Sequence, residues 1–272
     1  MTITRPLVVV CAKQRSGTTA LQKTLEKTGL FRNYGEIFHD DHQSYEYNYF
    51  NFLASNATMR DFIAYPNDSN MNIIFETYLS YLNNSHSQRY TLLDIKYTSW
   101  HHFNYIWHEP LERPVLMRLL AECNTQFIHL VRNNLFACYL SSKYAQKVNK
   151  YHYERQNTES FPMPEQFIVN VEEARYHMNL LRSHQILFRD WLSSYPKTIE
   201  LGYEEVFDQD GLSQNVDRIL RETFSLGTAD LSTPIRPTPV RMQDVILNAK
   251  DVLEYFSGTE FEYMVSDILK FG

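Results

Sequence analysis

The segment 8–21, VVVCAKQRSGTTAL, has residue types, in an order, that are typical of an anion-binding loop. The segment begins as a β-branched run, breaks at Gly17 and continues with helical spacing. In a strand–turn–helix unit, the first N–H groups of the helix have no partner inside it, so they can bind an anion. Gly17 permits a close backbone approach, Thr18 and Thr19 add hydroxyl groups, and Arg15 adds a planar cation. The alternative is a plain turn in which a Ser or Thr side chain caps the helix.

The same loop departs from the ATP-type phosphate loop. That pattern, GxxxxGK[ST], requires a glycine at position 12 and a lysine directly after Gly17, where this chain has Ala12 and Thr18. The sequence therefore argues against ordinary kinase or GTPase chemistry and leaves open which anion the loop binds.

A second strand–helix unit, FIHLVRNNLFACYLSSKYA, carries a cation and two hydroxyl groups. Arg132 stands at the end of its strand, and Ser141 and Ser142 follow about two helical turns later. Ligands of open α/β sheets bind at the carboxyl ends of the strands. If the two strands are neighbours, Arg132 lies beside the first loop. The alternative is an arginine that reaches solvent from a strand end, with two serines on a helix surface.

The elements that must position these residues follow an alternating pattern. Buried strands are predicted at residues 7–11, 91–95, 126–131 and 198–203. Helices are predicted at 18–28, 111–122, 135–147 and 164–194, with two more near the C-terminus. Strands that alternate with helices indicate a parallel sheet covered on both faces. We expect a single α/β domain over residues 1–272, built as three α/β/α layers around a central parallel sheet.

The bulk composition excludes several classes of protein. A net charge of −6 argues against a general nucleic-acid binder. The N-terminal apolar run is too short to span a bilayer or to form a secretory signal. The three cysteines are scattered and have no metal-ligand spacing. We therefore expect a cytoplasmic protein with no membrane span, no nucleic-acid partner and no bound metal.

Together, the two strand–helix units resemble the sulfotransferases that use 3′-phosphoadenosine 5′-phosphosulfate (PAPS). RSGTT after a strand looks like the family's 5′-phosphosulfate loop, [PT]-[KR]-S-G-[ST]-[ST], with Arg15 at the basic position and Gln14 where proline is often found. VRNNLFACYLSS resembles the family's 3′-phosphate segment, in which Arg132 and Ser141 are the matching positions and Ser142 is the fallback. The resemblance implies a P-loop-NTPase-like topology.

Further stretches keep the family's order and point to its bacterial carbohydrate-type branch, which includes the trehalose and Nod-factor sulfotransferases. NYGEIF resembles the stretch that carries the catalytic base, which implies that role for Glu36. LDIKY resembles the family's strand that ends in a lysine, here Lys96, and LGYEEVF resembles its Tyr-Glu signature. TPIRPTPVRMQDVILN resembles its C-terminal tail, with Arg236 at the basic position and Asn248 at the end.

The resemblance implies transfer of a sulfuryl group from PAPS to a hydroxyl or amine of a small-molecule acceptor, such as a carbohydrate or a secondary metabolite. Adenosine 3′,5′-bisphosphate is the implied second product, and no metal is implied. The residues implied to hold the 5′-phosphosulfate are Arg15, Ser16, Gly17, Thr18 and Thr19. Those implied to hold the 3′-phosphate are Arg132, Ser141 and Arg236.

The identity of the base stays open among three residues. Glu36 is implied by the bacterial branch, but on its residue type it could equally be an exposed loop carboxylate. His101 and His102 follow the strand that ends at Lys96, and a histidine in that region is the base in the family's eukaryotic cytosolic branch.

The other charged residues also have a structural interpretation. Lys96 could end its strand in solvent, although the resemblance implies a catalytic role. Glu204 and Glu205 are expected to be caps or pairing partners.

Two segments are expected to form the acceptor-binding insert or lid, residues 40–90 and 150–165. The first is polar and aromatic, with weak periodicity and room for one or two helices, and long insertions of this kind are usually functional. Two other functions compete with the sulfotransferase: a P-loop small-molecule kinase, and a catalytically inactive nucleotide-binding protein of the same fold. The oligomeric state is left open, with a homodimer as one option.

Overall fold

The computed structural model describes most of the chain. The described residues are 5–40, 47–103, 112–149, 153–154, 165–207, 211–236 and 240–270, with residues 153, 154 and 236 described by their backbone. Statements below about what is absent refer to these residues.

Seven strands are formed by the described residues. Their bounds are β1 Leu7–Ala12, β2 Phe31–Asn33, β3 Tyr90–Lys96, β4 Gln126–Val131, β5 Tyr153–Glu154, β6 Thr198–Gly202 and β7 Ile235–Arg236. Five of them form one parallel sheet in the order β2-β3-β1-β4-β6, and β5 pairs with β7 in a separate antiparallel ladder. The predicted parallel sheet is therefore confirmed.

Eleven α-helices connect and cover these strands in the described part of the chain. Their bounds are α1 Thr18–Lys27, α2 Tyr49–Ser55, α3 Ala57–Ala64, α4 Asp68–Asn84, α5 Val115–Glu122, α6 Leu135–Val148, α7 Val171–Ser193, α8 Tyr203–Val206, α9 Gln214–Phe224, α10 Ala249–Phe256 and α11 Glu262–Lys270. Two short 3₁₀ turns lie at Trp100–Phe103 and Met242–Asp244. None of these helices is long and apolar enough to cross a bilayer.

The hydrophobic core is divided between the two faces of the sheet. All six residues of β1 are fully buried, and its alternate side chains point to opposite faces. Val9 and Cys11 pack with α4, α5, α6 and α7, whereas Val8 and Val10 pack with α1 and α9. Since helices cover both faces, the architecture is compatible with the expected three α/β/α layers.

The insert between residues 40 and 90 contains three helices, α2, α3 and α4, rather than one or two. Each begins at an asparagine whose side chain accepts a hydrogen bond from the first helical turn; the caps are Asn48, Asn56 and Asn67. The buried rings of Tyr49 and Tyr78 join the core, which is where much of the chain's aromatic content is used. Residues 155–164 of the other predicted insert lie outside the described residues.

The long helix α7 begins at Val171, seven residues after the predicted start at position 164. Its cap is Asn170, whose side chain accepts from the Glu173 N–H over 3.1 Å. The preceding residues are extended because the amide of Asn248 bonds both backbone groups of Val169, at 2.9 and 3.0 Å. Asn248, the last residue of the predicted tail motif, therefore attaches the tail to the start of α7.

Candidate active site

The strand order places one crevice at the carboxyl edge of the sheet. From β1 the chain leaves towards β2, whereas from its neighbour β4 it leaves in the opposite direction towards β6. Neighbouring strands whose connections diverge leave a crevice beyond their carboxyl ends, where ligands of open α/β sheets bind. The two motifs predicted from the sequence follow these two strands, so the fold places both beside the same crevice.

The loop after β1 has the backbone geometry of an anion cradle. Gly17 is the N-cap of α1 with φ 81°, and no side chain caps this helix. Arg15, two residues earlier, also has a positive φ of 69°. Left-handed residues in a turn direct successive N–H groups into one concavity, and such concavities bind anions. The alternative of a helix capped by Ser or Thr is wrong, since the first turn of α1 is left without a side-chain cap.

The second motif contacts this loop directly. Arg132 donates from its NH1 atom to the carbonyl oxygen of Arg15 over 2.9 Å. The Nε atom of Arg15 donates to Oγ of Ser141 over 3.2 Å. Because β1 and β4 are paired, two residues 117 positions apart meet, as the sequence predicts for neighbouring strands. Ser141 itself is buried under the arginine.

The guanidinium of Arg132 has capacity for a further partner. Its carbon lies 4.6 Å from the ring centre of Tyr203, which opens α8, and this contact orients the planar group. Its Nε–H is buried and has no hydrogen-bond acceptor among the described residues, and Oε1 of Gln14 in the loop is buried and has no hydrogen-bond donor among them.

Gly17 is tightly enclosed by Tyr203. A Cβ atom at position 17 would lie 2.7 Å from Cδ2 of Tyr203 and 3.2 Å from the Phe207 ring. The ring that supports Arg132 therefore packs against the one loop residue without a side chain.

Replacing Gly17 with alanine is expected to lower the free energy of unfolding by about 2–3 kcal/mol and to weaken anion binding at least tenfold. The strained φ accounts for part of this loss, and displacement of Tyr203 from beneath Arg132 accounts for the rest. The matched control is Gly29→Ala, because Gly29 has φ 72° but nothing within 4 Å of the added carbon. Urea unfolding of both variants separates the two contributions, and equal losses would contradict the role given to Tyr203.

A buried lysine reaches the loop from the other side. Lys96 ends β3, which pairs with β1, and its side chain is 1% exposed. Its Nζ atom donates to Oγ1 of Thr18 and to Oδ2 of Asp94, which also accepts from Gln22 on α1. The possibility that Lys96 ends its strand in solvent is therefore wrong. The loop itself has no lysine after Gly17, and the lysine beside it comes from a different strand.

Glu36 lies at the same point. Its Oε1 atom is 3.4 Å from Nζ of Lys96, and its side chain is 24% exposed. The short edge strand β2 delivers this residue, since β2 pairs with β3 and the chain turns just beyond it. One carboxylate that solvent can reach thus lies beside a buried ammonium that contacts the first residue after the loop.

The two candidate histidines differ in their surroundings. His102 donates from Nδ1 to the carbonyl oxygen of Phe38 over 2.6 Å, which leaves Nε2 of the neutral ring as an acceptor. His101 is exposed and lies near His184 on α7; burial, followed by the charges of Lys13 and His101, lowers the pKa of His184. With Nδ1 bonded to this carbonyl, Nε2 is the ring atom of His102 that could accept a proton.

Glu204 and Cys138 lie near the crevice but have structural rather than catalytic roles. Glu204 accepts from the backbone N–H groups of Asn133 and Asn134, both over 3.0 Å, and so caps the start of α6. Burial raises the pKa of Cys138, whose thiol donates to the carbonyl oxygen of Gln14. A thiol in this state is not a nucleophile.

Arg236, the third residue implied to hold the 3′-phosphate, is described only by its backbone. The backbone of Arg236 lies in β7, which is adjacent to α1, and the side chain is outside the described part.

The other residues of the loop differ in exposure. Ser16 and Thr18 are buried within the loop, and Thr19 is partly exposed. The described residues contain no group of three or more His, Cys, Asp or Glu arranged to hold a metal ion.

A buried polar chain on the other sheet face fixes the end of β3. Tyr97, the residue after Lys96, is 2.7 Å from Nε2 of His129, whose Nδ1 lies 2.9 Å from Glu200. The hydrogen bond from His129, with a further contribution from Arg189, lowers the pKa of Glu200 to about 2. These contacts join β3, β4 and β6 below the loops and so help to fix the position of Lys96.

No family model matches the chain, and no curated protein matches it either.

Proposed function

We propose that the protein is a PAPS-dependent sulfotransferase that acts on a hydroxyl or amine of a small molecule. The observation that carries the proposal is the contact between the two motifs, with Arg132 bonded to the Arg15 carbonyl and Arg15 bonded to Ser141. Two separate strand–helix units thus supply cations to one crevice, which suits a ligand with two separate phosphate groups.

The roles follow from the positions of the residues. The loop around Gly17, with Arg15, holds the 5′-phosphosulfate, because its left-handed residues direct backbone N–H groups into one concavity and Arg15 adds a cation to the loop. Arg132 and Ser141 hold the 3′-phosphate, and their hydrogen bonds with Arg15 support this assignment. Arg236 is proposed as a third contact on the strength of its resemblance and its backbone position beside α1.

The transfer itself needs a base and charge stabilisation. Glu36 removes the proton of the acceptor group while the acceptor oxygen or nitrogen bonds to sulfur. The sulfur–oxygen bond to the 5′-phosphate breaks, and its electron pair goes to that phosphate. Arg15, Lys96 and the loop N–H groups stabilise the charge that develops there. Glu36 is the first candidate because it contacts Lys96, and His102 is the second.

A P-loop-NTPase-like topology is part of the proposal. It is supported by the position of β1 inside the sheet, between β3 and β4, and by the anion loop that leads from β1 into α1. A cytoplasmic location is also proposed, and the three free thiols, Cys11, Cys123 and Cys138, support it. The helices α2–α4 are proposed to contribute to the wall of the acceptor site.

Calorimetry with adenosine 3′,5′-bisphosphate and with ATP tests the nucleotide. We expect micromolar binding of the bisphosphate and no measurable binding of ATP, because the 3′-phosphate contacts Arg132 and Ser141. The reverse preference would identify a kinase and exclude the sulfotransferase. Binding of the bisphosphate without transfer of labelled sulfate to any acceptor in a broad screen would favour the inactive nucleotide-binding protein.

A further inference from the structure

Lys13, the first residue after β1, is a basic residue of the crevice that the proposed function does not use. Alternate side chains of β1 point to opposite faces of the sheet, and Cys11 packs on the face that α6 and α7 cover. The same alternation places Lys13 on that face, whereas α1 packs on the other one. The lysine is partly exposed and forms no hydrogen bond or ion pair with a described residue.

His184 on α7 lies at the same point of the sheet. Its ring centre is 6.0 Å from that of Tyr97, the residue that follows β3. The backbone N–H of Tyr97 donates to the carbonyl oxygen of Ala12 over 3.0 Å, so Tyr97 lies beside the end of β1. Because Lys13 comes directly after Ala12, the imidazole and the ammonium lie above the same strand end.

His101 adds a third basic group from a third element. It belongs to the 3₁₀ turn Trp100–Phe103 that follows β3, and its side chain is exposed. Burial, followed by the charges of Lys13 and His101, lowers the pKa of His184, so the three groups are within electrostatic reach of one another. We call Lys13, His101 and His184 the basic cluster.

The basic cluster lies in the same crevice as the two motifs but uses different side chains. Gln185, the residue after His184, donates to the carbonyl oxygen of Arg132 over 3.0 Å. Lys13 also acts on Cys138 of α6, where the charges of Arg132 and Lys13 oppose the rise in pKa that burial causes. None of the three members is among the residues proposed to hold the two phosphate groups of the nucleotide.

The electrostatics of the basic cluster favour an anion. The whole chain has a net charge of −6, yet the charges that act on His184 are positive. The two carboxylates described near the crevice are bonded elsewhere, Glu36 to Lys96 and Glu204 to the backbone of α6. Like charges in one place repel one another, and a bound anion relieves that repulsion. A crevice lined by one sign of charge also raises the local concentration of a substrate of the opposite sign.

We propose that the basic cluster binds an anionic group of the acceptor, so that the molecule whose hydroxyl or amine is sulfated already carries a carboxylate, sulfate or phosphate. The inference deepens the proposed function and rests on it for the identity of the acceptor. The assignment to the acceptor follows because the phosphates of the donor have other partners. The binding of an anion by the basic cluster does not itself depend on sulfuryl transfer.

The first test measures anion binding while the nucleotide site is filled. Sodium sulfate is titrated against sodium chloride at constant ionic strength, with saturating adenosine 3′,5′-bisphosphate, and the His184 ring signals are followed by NMR after assignment with His184→Gln. We expect saturable binding that is at least tenfold weaker in Lys13→Ala. The control is Lys23→Ala, which removes an exposed lysine of α1 and should bind sulfate as the wild type does. Equal sulfate affinity in Lys13→Ala and the wild type would overturn the proposal.

The same titration without nucleotide separates this proposal from the proposed function. Absence of bisphosphate binding would contradict the sulfotransferase, whereas the His184 signals and the Lys13→Ala variant would still report on the anion site.

The second test decides whether the anion belongs to the acceptor or to the donor. Acceptors are compared in pairs that share their ring hydroxyl groups, D-glucuronate with D-glucose and 4-hydroxybenzoate with 4-hydroxybenzamide, using labelled PAPS. In the wild type we expect kcat/KM to be at least tenfold higher for the anionic member, and Lys13→Ala should lose most of this preference. A raised KM for PAPS in Lys13→Ala with an unchanged acceptor preference would assign the basic cluster to the donor and overturn the proposal. The sulfate titration decides the matter if no member of either pair is sulfated.

Discussion

Replacing Glu36 with alanine is expected to lower turnover by about 100- to 10,000-fold while nucleotide binding is retained, which is the range for loss of a well-placed general base. The reason is positional. Glu36 ends within 3.4 Å of Lys96, and that lysine contacts the first residue of the helix behind the anion loop. The carboxylate thus lies beside the proposed site of transfer, whereas Arg132, which would hold the 3′-phosphate, follows β4. The measurement is initial rate with saturating donor, together with the affinity for adenosine 3′,5′-bisphosphate.

Two further variants sharpen this test. Glu36→Gln keeps the size of the side chain and an oxygen for Lys96, so a loss equal to that of alanine would assign the effect to the proton acceptor rather than to packing. Glu222→Gln is the control, because Glu222 is an exposed carboxylate paired with Arg218 on α9. Unchanged turnover in both Glu36 variants would transfer the role of base to His102, which His102→Gln would then confirm by the same assay.

The local sequence was sufficient for the parts of the site that follow one strand each. The strands β1 and β4 were predictable because their aliphatic runs are continuous, and the contact between Arg132 and the loop followed once these strands were taken as neighbours. Motif resemblance then suggested Glu36 and Lys96 without a physical account of their position.

The remaining parts depend on strand order, which no local pattern encodes. Lys96 reaches Thr18 because β3 is inserted between β2 and β1, and Glu36 reaches Lys96 because the three-residue β2 pairs with β3. A strand as short as Phe31–Asn33, with two polar residues, has too little periodicity to be recognised. The packing of Tyr203 against Gly17 is likewise tertiary, since Gly17 precedes α1 and Tyr203 opens α8, far along the chain.

Arg15 provides a test in which two variants should lose the same activity but differ in stability. Its guanidinium is proposed to face the leaving phosphate, so Arg15→Ala should lower turnover about 100- to 1,000-fold, as for loss of one preorganised donor at a site of developing charge. Arg15→Lys should recover only part of this loss, because an ammonium keeps the charge but has no planar fork to bond Ser141 and a phosphate together.

The backbone of Arg15 gives the second half of the prediction. A non-glycine residue at φ 69° is held in a left-handed conformation that disfavours a Cβ atom by about 1–2 kcal/mol. Arg15→Gly removes this strain, although the greater freedom of glycine in the unfolded chain offsets part of the gain. We therefore expect Arg15→Gly to be as inactive as Arg15→Ala but more stable than it by about 1 kcal/mol, which is a rise in Tm of roughly 2–4 °C.

The matched control for the strain is Ser225→Gly at the end of α9, where φ is 52°. This variant should gain similar stability and keep full activity, because Ser225 lies at the end of α9 and no residue of the proposed site belongs to that helix. If Arg15→Gly were no more stable than Arg15→Ala, the left-handed conformation would not be strained. If it were more stable and fully active, the loop would hold its anion by backbone groups alone, and the side chain would have no part in the transfer.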